Sequence, residues 1–156
     1  PFFGGLPAET MDRLVKMLVE REYKAGQLVF REGEAGKSMY VVHSGELVAN
    51  QAGGSGGTVR LMRFFEGDFF GETTLIEMQP RPYTAQVARD ATLYELTNMD
   101  LYKLYREDVK AYVLVLQNIN RELCRRLRRA GDRITQFADE TDDERTQLGL
   151  KPLKQR

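Results

Sequence analysis

Near the start of the chain, apolar residues recur three or four positions apart, as they do on one face of a helix. These residues are Met11, Leu14, Val15 and Leu18. Pro7 precedes them, and proline is favoured in the first turn of a helix, because the N–H groups there form no hydrogen bond within the helix and the missing one is not a loss. The pattern predicts an amphipathic helix that begins at Leu6–Glu9, ends at about Val19 and covers one end of the domain.

From Tyr23 to Met99 the period of the pattern changes to two, which is typical of β-strands with one buried face. Turn signals with glycine separate the alternating runs, at Ala25-Gly26, Glu32-Gly33, Ala35-Gly36, Ser44-Gly45 and Glu66-Gly67. The glycine-rich segment Gln51–Thr58 is predicted to be a hairpin loop. Short strands separated by glycine turns predict an antiparallel β jelly-roll barrel.

A second helical stripe is long and strictly periodic. Its positions alternate steps of four and three, at Val109, Val113, Leu116, Asn120, Leu123, Leu127, Ala130, Ile134 and Phe137. Such a heptad pattern predicts a helix over about residues 107–138 that pairs with a second copy. Asn120 falls at an a position, where asparagine favours a parallel, in-register homodimer. The stripe could instead pack only on the body of its own chain, but the strict alternation favours the dimer.

Together these elements predict an α+β, mainly β, fold, in which the jelly-roll barrel has an N-terminal helix and a long C-terminal dimerisation helix. A short helix at Asn98–Arg106, with Asn98 as its cap, precedes the long one. We expect one domain at residues 1–138 and a polar tail or linker at residues 139–156.

The charges balance, with 23 basic and 23 acidic residues, so no overall charge attracts nucleic acid or a membrane. Arginines nevertheless crowd the long helix, at Arg121, Arg125, Arg126, Arg128, Arg129 and Arg133. They could contact phosphates of a nucleic acid, or they could form a solvated flank of the dimer. We favour the flank, and expect no nucleic-acid binding by this chain alone.

Histidine and cysteine are too scarce for most catalytic schemes. A metal enzyme on a jelly roll needs a cluster of histidines, and the chain has only His43, on a predicted strand. Nucleophilic serine or cysteine schemes also need a histidine. The single cysteine, Cys124, excludes an intrachain disulfide and fits the reducing cytoplasm. No apolar run approaches the length of a membrane span. The sequence therefore predicts a cytoplasmic binding protein, with no catalytic residues and no metal.

The segment Phe69–Ala85 carries the most specific chemistry. Gly71 allows a ligand to approach the backbone closely, and Glu72 offers acceptors that suit a pair of sugar hydroxyls. Arg81 can donate two parallel hydrogen bonds to a phosphate. This combination favours a sugar phosphate as the ligand, although Glu72 and Arg81 could simply pair with each other on a turn.

The same segment resembles the phosphate-binding cassette of the cyclic nucleotide-binding domain family. The matching residues are Phe70, Gly71, Glu72, Leu75, Pro80, Arg81 and Thr84, and the resemblance extends over about residues 6–138. It implies that Glu72 holds the ribose 2′-hydroxyl and that Arg81 holds the cyclic phosphate. The ligand-binding residues expected from it are Phe70, Gly71, Glu72, Thr73, Arg81, Pro82, Tyr83 and Thr84.

Two residues of the cassette depart from the family pattern. Pro82 stands where the family usually has a small or hydroxyl residue, and it offers the phosphate neither an N–H nor a hydroxyl. Tyr83 stands where the family prefers alanine. These departures favour an alternative interpretation, in which the chain is a dimerisation module that no longer binds nucleotide.

The expected base contacts come from a second resemblance. The segment Cys124–Leu127 is similar to part of the long helix of the family's transcription activators, in which two adjacent hydroxyl residues contact adenine. The same spacing places those positions at Ala130 and Gly131, which lack polar side chains. We expect an apolar wall for the base, formed by Leu61, Leu127 and Ala130 with Arg126 at its edge. Cyclic AMP is then preferred over cyclic GMP by less than about tenfold.

The resemblance implies a dimeric sensor that binds cyclic AMP, or possibly cyclic GMP, and signals to a protein partner or a fused domain. The alternatives are the sensor part of a transcription regulator without its helix-turn-helix, and the non-binding dimerisation module. The polar segment after the long helix shows no second pair of amphipathic helices that could bind DNA.

Overall fold

The computed structural model describes residues 2–54 and 56–150 of the 156-residue chain. The chain divides into two compact units, Pro1–Ile119 and Asn120–Arg156, and the boundary lies within the last helix. The elements, in chain order, are α1 (Ala8–Met17), β1 (Val19–Tyr23), β2 (Leu28–Phe30), β3 (Ser38–Ala52), β4 (Thr58–Phe64), β5 (Phe69–Phe70), α2 (Thr73–Glu77), β6 (Thr84–Thr97), α3 (Asn98–Glu107) and α4 (Val109–Gln147).

The six strands of the described residues form one antiparallel sheet built around the long strands β3 and β6. The order along the sheet is β1-β6-β3-β4, with β2 also paired to β6 and β5 to β3. The predicted antiparallel, mainly β fold with a helix at each end is confirmed. Among the described residues the path of paired strands is open, so strand pairing does not close the predicted barrel.

The core lies on the inner face of the sheet, as the alternation of apolar residues requires. Ala85, Val87 and Leu93 are buried at alternating positions of β6, and Leu47 faces Val87 across the register. The same cluster contains aromatic rings from four strands and the segment before β6, namely Phe30, Tyr40, Phe64, Phe70 and Tyr83. These rings place an aromatic interior directly beside the cassette.

Two helix boundaries differ from those predicted. Helix α1 ends at Met17, because Leu18 is already extended and β1 begins at Val19. Helix α3 is capped by Thr97, not by Asn98. The Thr97 side chain accepts from the Asp100 N–H and the Asp100 carboxylate accepts from the Thr97 N–H, which together form a capping box.

Helix α4 continues to Gln147, so the predicted polar tail is helical in its first part. The segment Asp139–Gln147 contains neither glycine nor proline, and a helix can therefore continue through it. Gly149, with φ +71°, ends it: its N–H donates to Thr146 and the Leu150 N–H donates to Arg145. This is a Schellman motif, which favours glycine. The remainder of the predicted tail, residues 151–156, lies outside the described residues.

Among the described helices, none has the length and apolar character that crossing a membrane requires.

Candidate functional site

The cassette begins where β5 ends. Phe69 and Phe70 pair with Val41 and Tyr40 of β3, and Gly71 then turns the chain into α2. The φ of Gly71 is +78°, a conformation that other residues rarely adopt. A Cβ there would also lie 2.5 Å from Nη1 of Arg81. The backbone conformation therefore favours glycine at this position, and the missing side chain leaves room for the guanidinium.

The Arg81 guanidinium lies inside the fold, with the residue only 4% exposed. Its Nη1 donates to the carbonyl oxygen of Gly71 at 2.9 Å and to the hydroxyl of Thr74 at 3.1 Å. Its Cζ lies 4.0 Å from the ring centroid of Phe30, within the range of a cation–π interaction. Burial lowers the pKa of the guanidinium, because desolvation disfavours the charged form. Arg81 thus donates to neutral acceptors in an apolar setting.

The loop between β2 and β3 contacts both the backbone and the side chain of Arg81. The Arg81 N–H donates to the carbonyl of Glu34 at 2.8 Å, and the Gly33 N–H donates to the carbonyl of Arg81 at 2.9 Å. Gly36 of the same loop lies against the guanidinium, and the Ser38 hydroxyl accepts from Nη2 at 3.5 Å. Sequence reasoning missed Gly36 and Ser38, because only the fold brings them to Arg81.

Glu72 and Thr73 place two further polar groups at the start of α2. Glu72 is 2% exposed, and its backbone carbonyl accepts from the N–H groups of Leu75 and Ile76. Within the described part of the chain, the Thr73 hydroxyl is buried and has no hydrogen-bond partner. The neighbouring Thr74 hydroxyl donates to the Gly71 carbonyl at 2.9 Å. A buried hydroxyl that lacks a partner is costly, and a bound polar ligand could satisfy it.

Of the three residues after Arg81, only Tyr83 has its side chain in the core, where it is 6% exposed. Its ring centroid is 5.6 Å from that of Phe30, and its hydroxyl accepts from the Gly71 N–H at 3.3 Å. Pro82 offers its carbonyl to the side chain of Gln51. The Thr84 hydroxyl accepts from the Glu32 N–H at 3.0 Å, and this hydrogen bond holds the β2–β3 loop against the start of β6.

The residues expected at the base fall in different units. Leu61 belongs to the N-terminal unit, where it is partly buried against the aromatic core. The C-terminal unit carries Arg126, Leu127, Ala130 and Gly131. Within that unit, Glu122 accepts from Arg125 at 3.1 Å and lies 3.6 Å from both Arg126 and Arg129. Part of the arginine cluster is therefore paired within the helix, and contact with a base remains a prediction.

The first turns of α4 have two distinct faces. The side that packs on its own N-terminal unit holds Ala111, Val115, Asn118 and Ile119, all buried. The predicted seam is a different set, in which Val113, Asn120, Leu127 and Ile134 are exposed and Leu116 and Leu123 are half-buried. An exposed apolar seam is what a partner helix requires.

Asn118 connects α4 to the start of the chain. Its side-chain nitrogen donates to the carbonyl oxygens of Phe2 and Gly4, both at 2.8 Å. The Phe2 ring in turn packs edge-on against Phe69, with centroids 5.6 Å apart, immediately before the cassette. The sequence contains no local signal for this link, because Asn118 lies more than a hundred residues from Phe2 and Gly4.

Among the described residues, no group of three or more histidine, cysteine, aspartate or glutamate side chains lies together so that it could hold a metal ion. His43 is exposed and packs against Tyr94, with ring centroids 5.0 Å apart. Cys124 is exposed on α4.

Comparison with known proteins points to one family. The sequence profile "Cyclic nucleotide-binding domain" matches residues 20–108, more than half of the chain. The chain is 32% identical over 136 residues to the "Cyclic AMP receptor protein" of Thermus thermophilus, a match that covers 83% of this chain and 58% of that protein. It is 36% identical over 96 residues to the "cAMP-dependent protein kinase regulatory subunit" of Dictyostelium discoideum, covering 60% of this chain and 29% of that protein. The chain thus spans less than two thirds of the length of either relative.

Solved structures agree with this similarity. The catabolite activator protein of Thermus thermophilus superposes with a TM-score of 0.78 at 29% identity, covering 88% of this chain and 63% of that one. A cyclic nucleotide-binding domain from Methylobacillus flagellatus superposes with a TM-score of 0.81, covering 85% of this chain and 75% of that one. Its identity of 22% supports the fold alone.

Proposed function

The chain belongs to the cyclic nucleotide-binding domain family, and from this premise we propose that it binds a cyclic nucleotide at the cassette formed by Gly71, Glu72 and Arg81. The observation that carries the proposal is the buried Arg81, whose guanidinium donates to the Gly71 carbonyl at the centre of the cassette. An arginine is seldom buried without an anionic or strongly polar partner, because desolvation of the charge is costly.

The chemistry of the donors fits a cyclic phosphate. The present acceptors of the guanidinium include the Gly71 carbonyl and the Thr74 hydroxyl, both neutral. A phosphate oxygen forms shorter and stronger hydrogen bonds with guanidinium, and its negative charge would offset the cost of burying Arg81. Glu72 supplies acceptors for ribose hydroxyls, and the buried Thr73 hydroxyl supplies one further polar group.

Cyclic AMP is the ligand that we propose first, since relatives of both the receptor and the kinase-regulator type carry that nucleotide in their names. The base would meet an apolar wall of Leu61, Leu127 and Ala130, with Arg126 at its edge and Gly131 beside it. Such a wall discriminates weakly, so we expect a preference over cyclic GMP of less than about tenfold.

We propose further that the protein acts as a homodimer through α4 and signals to a protein partner or a fused domain. The exposed seam supports the dimer, since Val113, Leu127 and Ile134 would otherwise remain in water. A ligand can change the dimer only by binding two of its states unequally. A longer parent protein with a DNA-binding domain is a compatible alternative, because the similar receptor protein extends well beyond this chain.

A second candidate function is a dimerisation module that does not bind nucleotide. Tyr83 favours it, because its ring lies in the aromatic interior and its hydroxyl already accepts from the Gly71 N–H. Calorimetric titration with cyclic AMP and cyclic GMP separates the two candidates. Saturable binding of either nucleotide supports the sensor, and no binding at millimolar nucleotide by the folded dimer overturns it.

A matched pair of variants then locates the site. Arg81→Lys keeps the charge but removes the planar pair of donors, and we expect it to weaken binding by roughly tenfold or more. Arg89→Lys makes the same change on β6 at an exposed arginine that pairs with Glu46, and it should bind like the parent chain. Equal affinities of the two variants would remove Arg81 from the site.

A further inference from the structure

Tyr83 and Arg81 both form hydrogen bonds with Gly71. The Gly71 carbonyl accepts from the guanidinium at 2.9 Å, and the Gly71 N–H donates to the Tyr83 hydroxyl at 3.3 Å. Both side chains also pack on Phe30, with the guanidinium 4.0 Å and the Tyr83 ring 5.6 Å from its ring centroid. One glycine and one phenylalanine thus hold the arginine and the tyrosine side by side.

The Tyr83 side chain is well enclosed. The residue is buried, and its ring packs against Phe64 as well as Phe30. The Gly71 N–H is a backbone donor at the point where the cassette turns into α2, and it donates to the Tyr83 hydroxyl. A nucleotide oxygen that accepted from this N–H would have to replace the phenol oxygen.

We propose that the Tyr83 hydroxyl is an internal competitor of the nucleotide and sets its affinity by occupying the Gly71 N–H. This inference rests on the proposed function of the cassette. Nucleotide binding then requires the phenol to release Gly71, and the observed affinity is the intrinsic affinity multiplied by the fraction of molecules in which Tyr83 has released Gly71. Tyr83 is therefore a determinant of affinity and not a ligand contact.

The strength of the hydrogen bond sets the size of the expected effect. A hydrogen bond of 3.3 Å between neutral groups is long, and its loss corresponds to a change in affinity of about three- to tenfold. The ring has a separate role in packing the core, since it stacks among buried aromatic residues. A useful variant must therefore remove the hydroxyl and keep the ring.

Tyr83→Phe meets that requirement, and Tyr23→Phe is its control, because it removes a phenol that lies beside the same core on β1 and is remote in sequence from the cassette. We expect the Gly71 amide of Tyr83→Phe to exchange its hydrogen about threefold faster or more, measured by NMR without nucleotide. We expect cyclic AMP to bind this variant about three- to tenfold more tightly than the parent chain, by calorimetry. Tyr23→Phe should change neither quantity.

Each result has one meaning. Faster exchange together with tighter binding supports the competitor. Equal binding by Tyr83→Phe and the parent chain overturns it while the proposed function stands, and weaker binding overturns it by showing that the hydroxyl contacts the ligand. Failure of the parent chain and of both variants to bind at millimolar cyclic AMP or cyclic GMP overturns the proposed function itself.

Discussion

Gly36 lies directly against the guanidinium of Arg81: a Cβ on Gly36 would come within 2.6 Å of Cζ and 3.0 Å of Nη2. The guanidinium cannot retreat easily, because Phe30 lies 4.0 Å from it and Gly71 accepts from it. The missing side chain of Gly36 therefore leaves the room that the guanidinium occupies. Gly71 differs, since its positive φ would favour glycine even without Arg81.

Gly36→Ala should displace the guanidinium while leaving most of the fold intact. We expect cyclic nucleotide affinity to fall by about tenfold or more, because two donors would leave their positions. Gly57→Ala is the matched control, since a Cβ at that hairpin glycine meets nothing within 4 Å. Calorimetric titration of both variants checks the prediction, and circular dichroism establishes that both are folded. Parent-like binding by Gly36→Ala would show that the position of the guanidinium is unimportant.

The candidate site could be predicted from the sequence only where its residues are close along the chain. Gly71, Glu72 and Arg81 belong to one segment, and their chemistry suggests a sugar phosphate. Gly36 in the β2–β3 loop and Ser38 at the start of β3 lie more than forty residues before Arg81, and only the fold brings them to it. Local patterns do not encode such distant contacts.

The fold was predictable where the hydrophobic period is strong, and its boundaries were less so. The change of period near Tyr23 and the heptads of α4 predict strands and a long helix, as observed. The end of α4 was misplaced, because charged residues resemble a tail as readily as a solvated helix. Gly149 is the local signal that could have located it.

Tyr40 should make the protein sensitive to alkaline pH. Burial raises the pKa of its phenol, and the nearby Glu95 carboxylate acts in the same direction. The folded protein therefore holds this proton more tightly than the unfolded chain, whose tyrosines titrate at about pH 10. The stability linked to this proton is fully present below about pH 10 and is lost as pH rises through the raised pKa.

Tyr40→Phe should accordingly lose less unfolding free energy than the parent chain between pH 8 and about pH 11. Urea denaturation across this range measures the difference. Tyr102→Phe, at an exposed position on α3, controls for the removal of a phenol. Parallel pH profiles for Tyr40→Phe and the parent chain would contradict the prediction. Tyr23 is a second contributor, since burial also raises its pKa, so some alkaline sensitivity should persist in the variant.

Asn118→Ala should destabilise the N-terminal unit by about 1–3 kcal/mol, because the carbonyls of Phe2 and Gly4 lose their side-chain donor. Gln117→Ala, at the exposed neighbouring position of α4, should cost much less. Urea denaturation of both variants tests the difference. Similar free energies of unfolding would show that the start of the chain is not held through Asn118.

The seam of α4 can be tested by placing a charge at Ile134. In a single chain Ile134 is 69% exposed, so a charge there would disturb nothing within its own unit. In a parallel homodimer two copies of Ile134 would face each other, because Asn120 and Ile134 are two heptads apart at a positions. Ile134→Glu would then place two carboxylates together in an apolar seam, which is costly for both charges.

We therefore expect Ile134→Glu to weaken the dimer by about tenfold or more, with little change in the fold of the N-terminal unit. Thr135→Glu introduces the same charge at the next residue, which is also exposed but lies off the seam, and it should dimerise like the parent chain. Sedimentation velocity over a range of concentrations gives the dissociation constants. A parent chain that is monomeric at tens of micromolar contradicts the seam, whereas equal weakening by both variants indicates a general effect of charge rather than a heptad register.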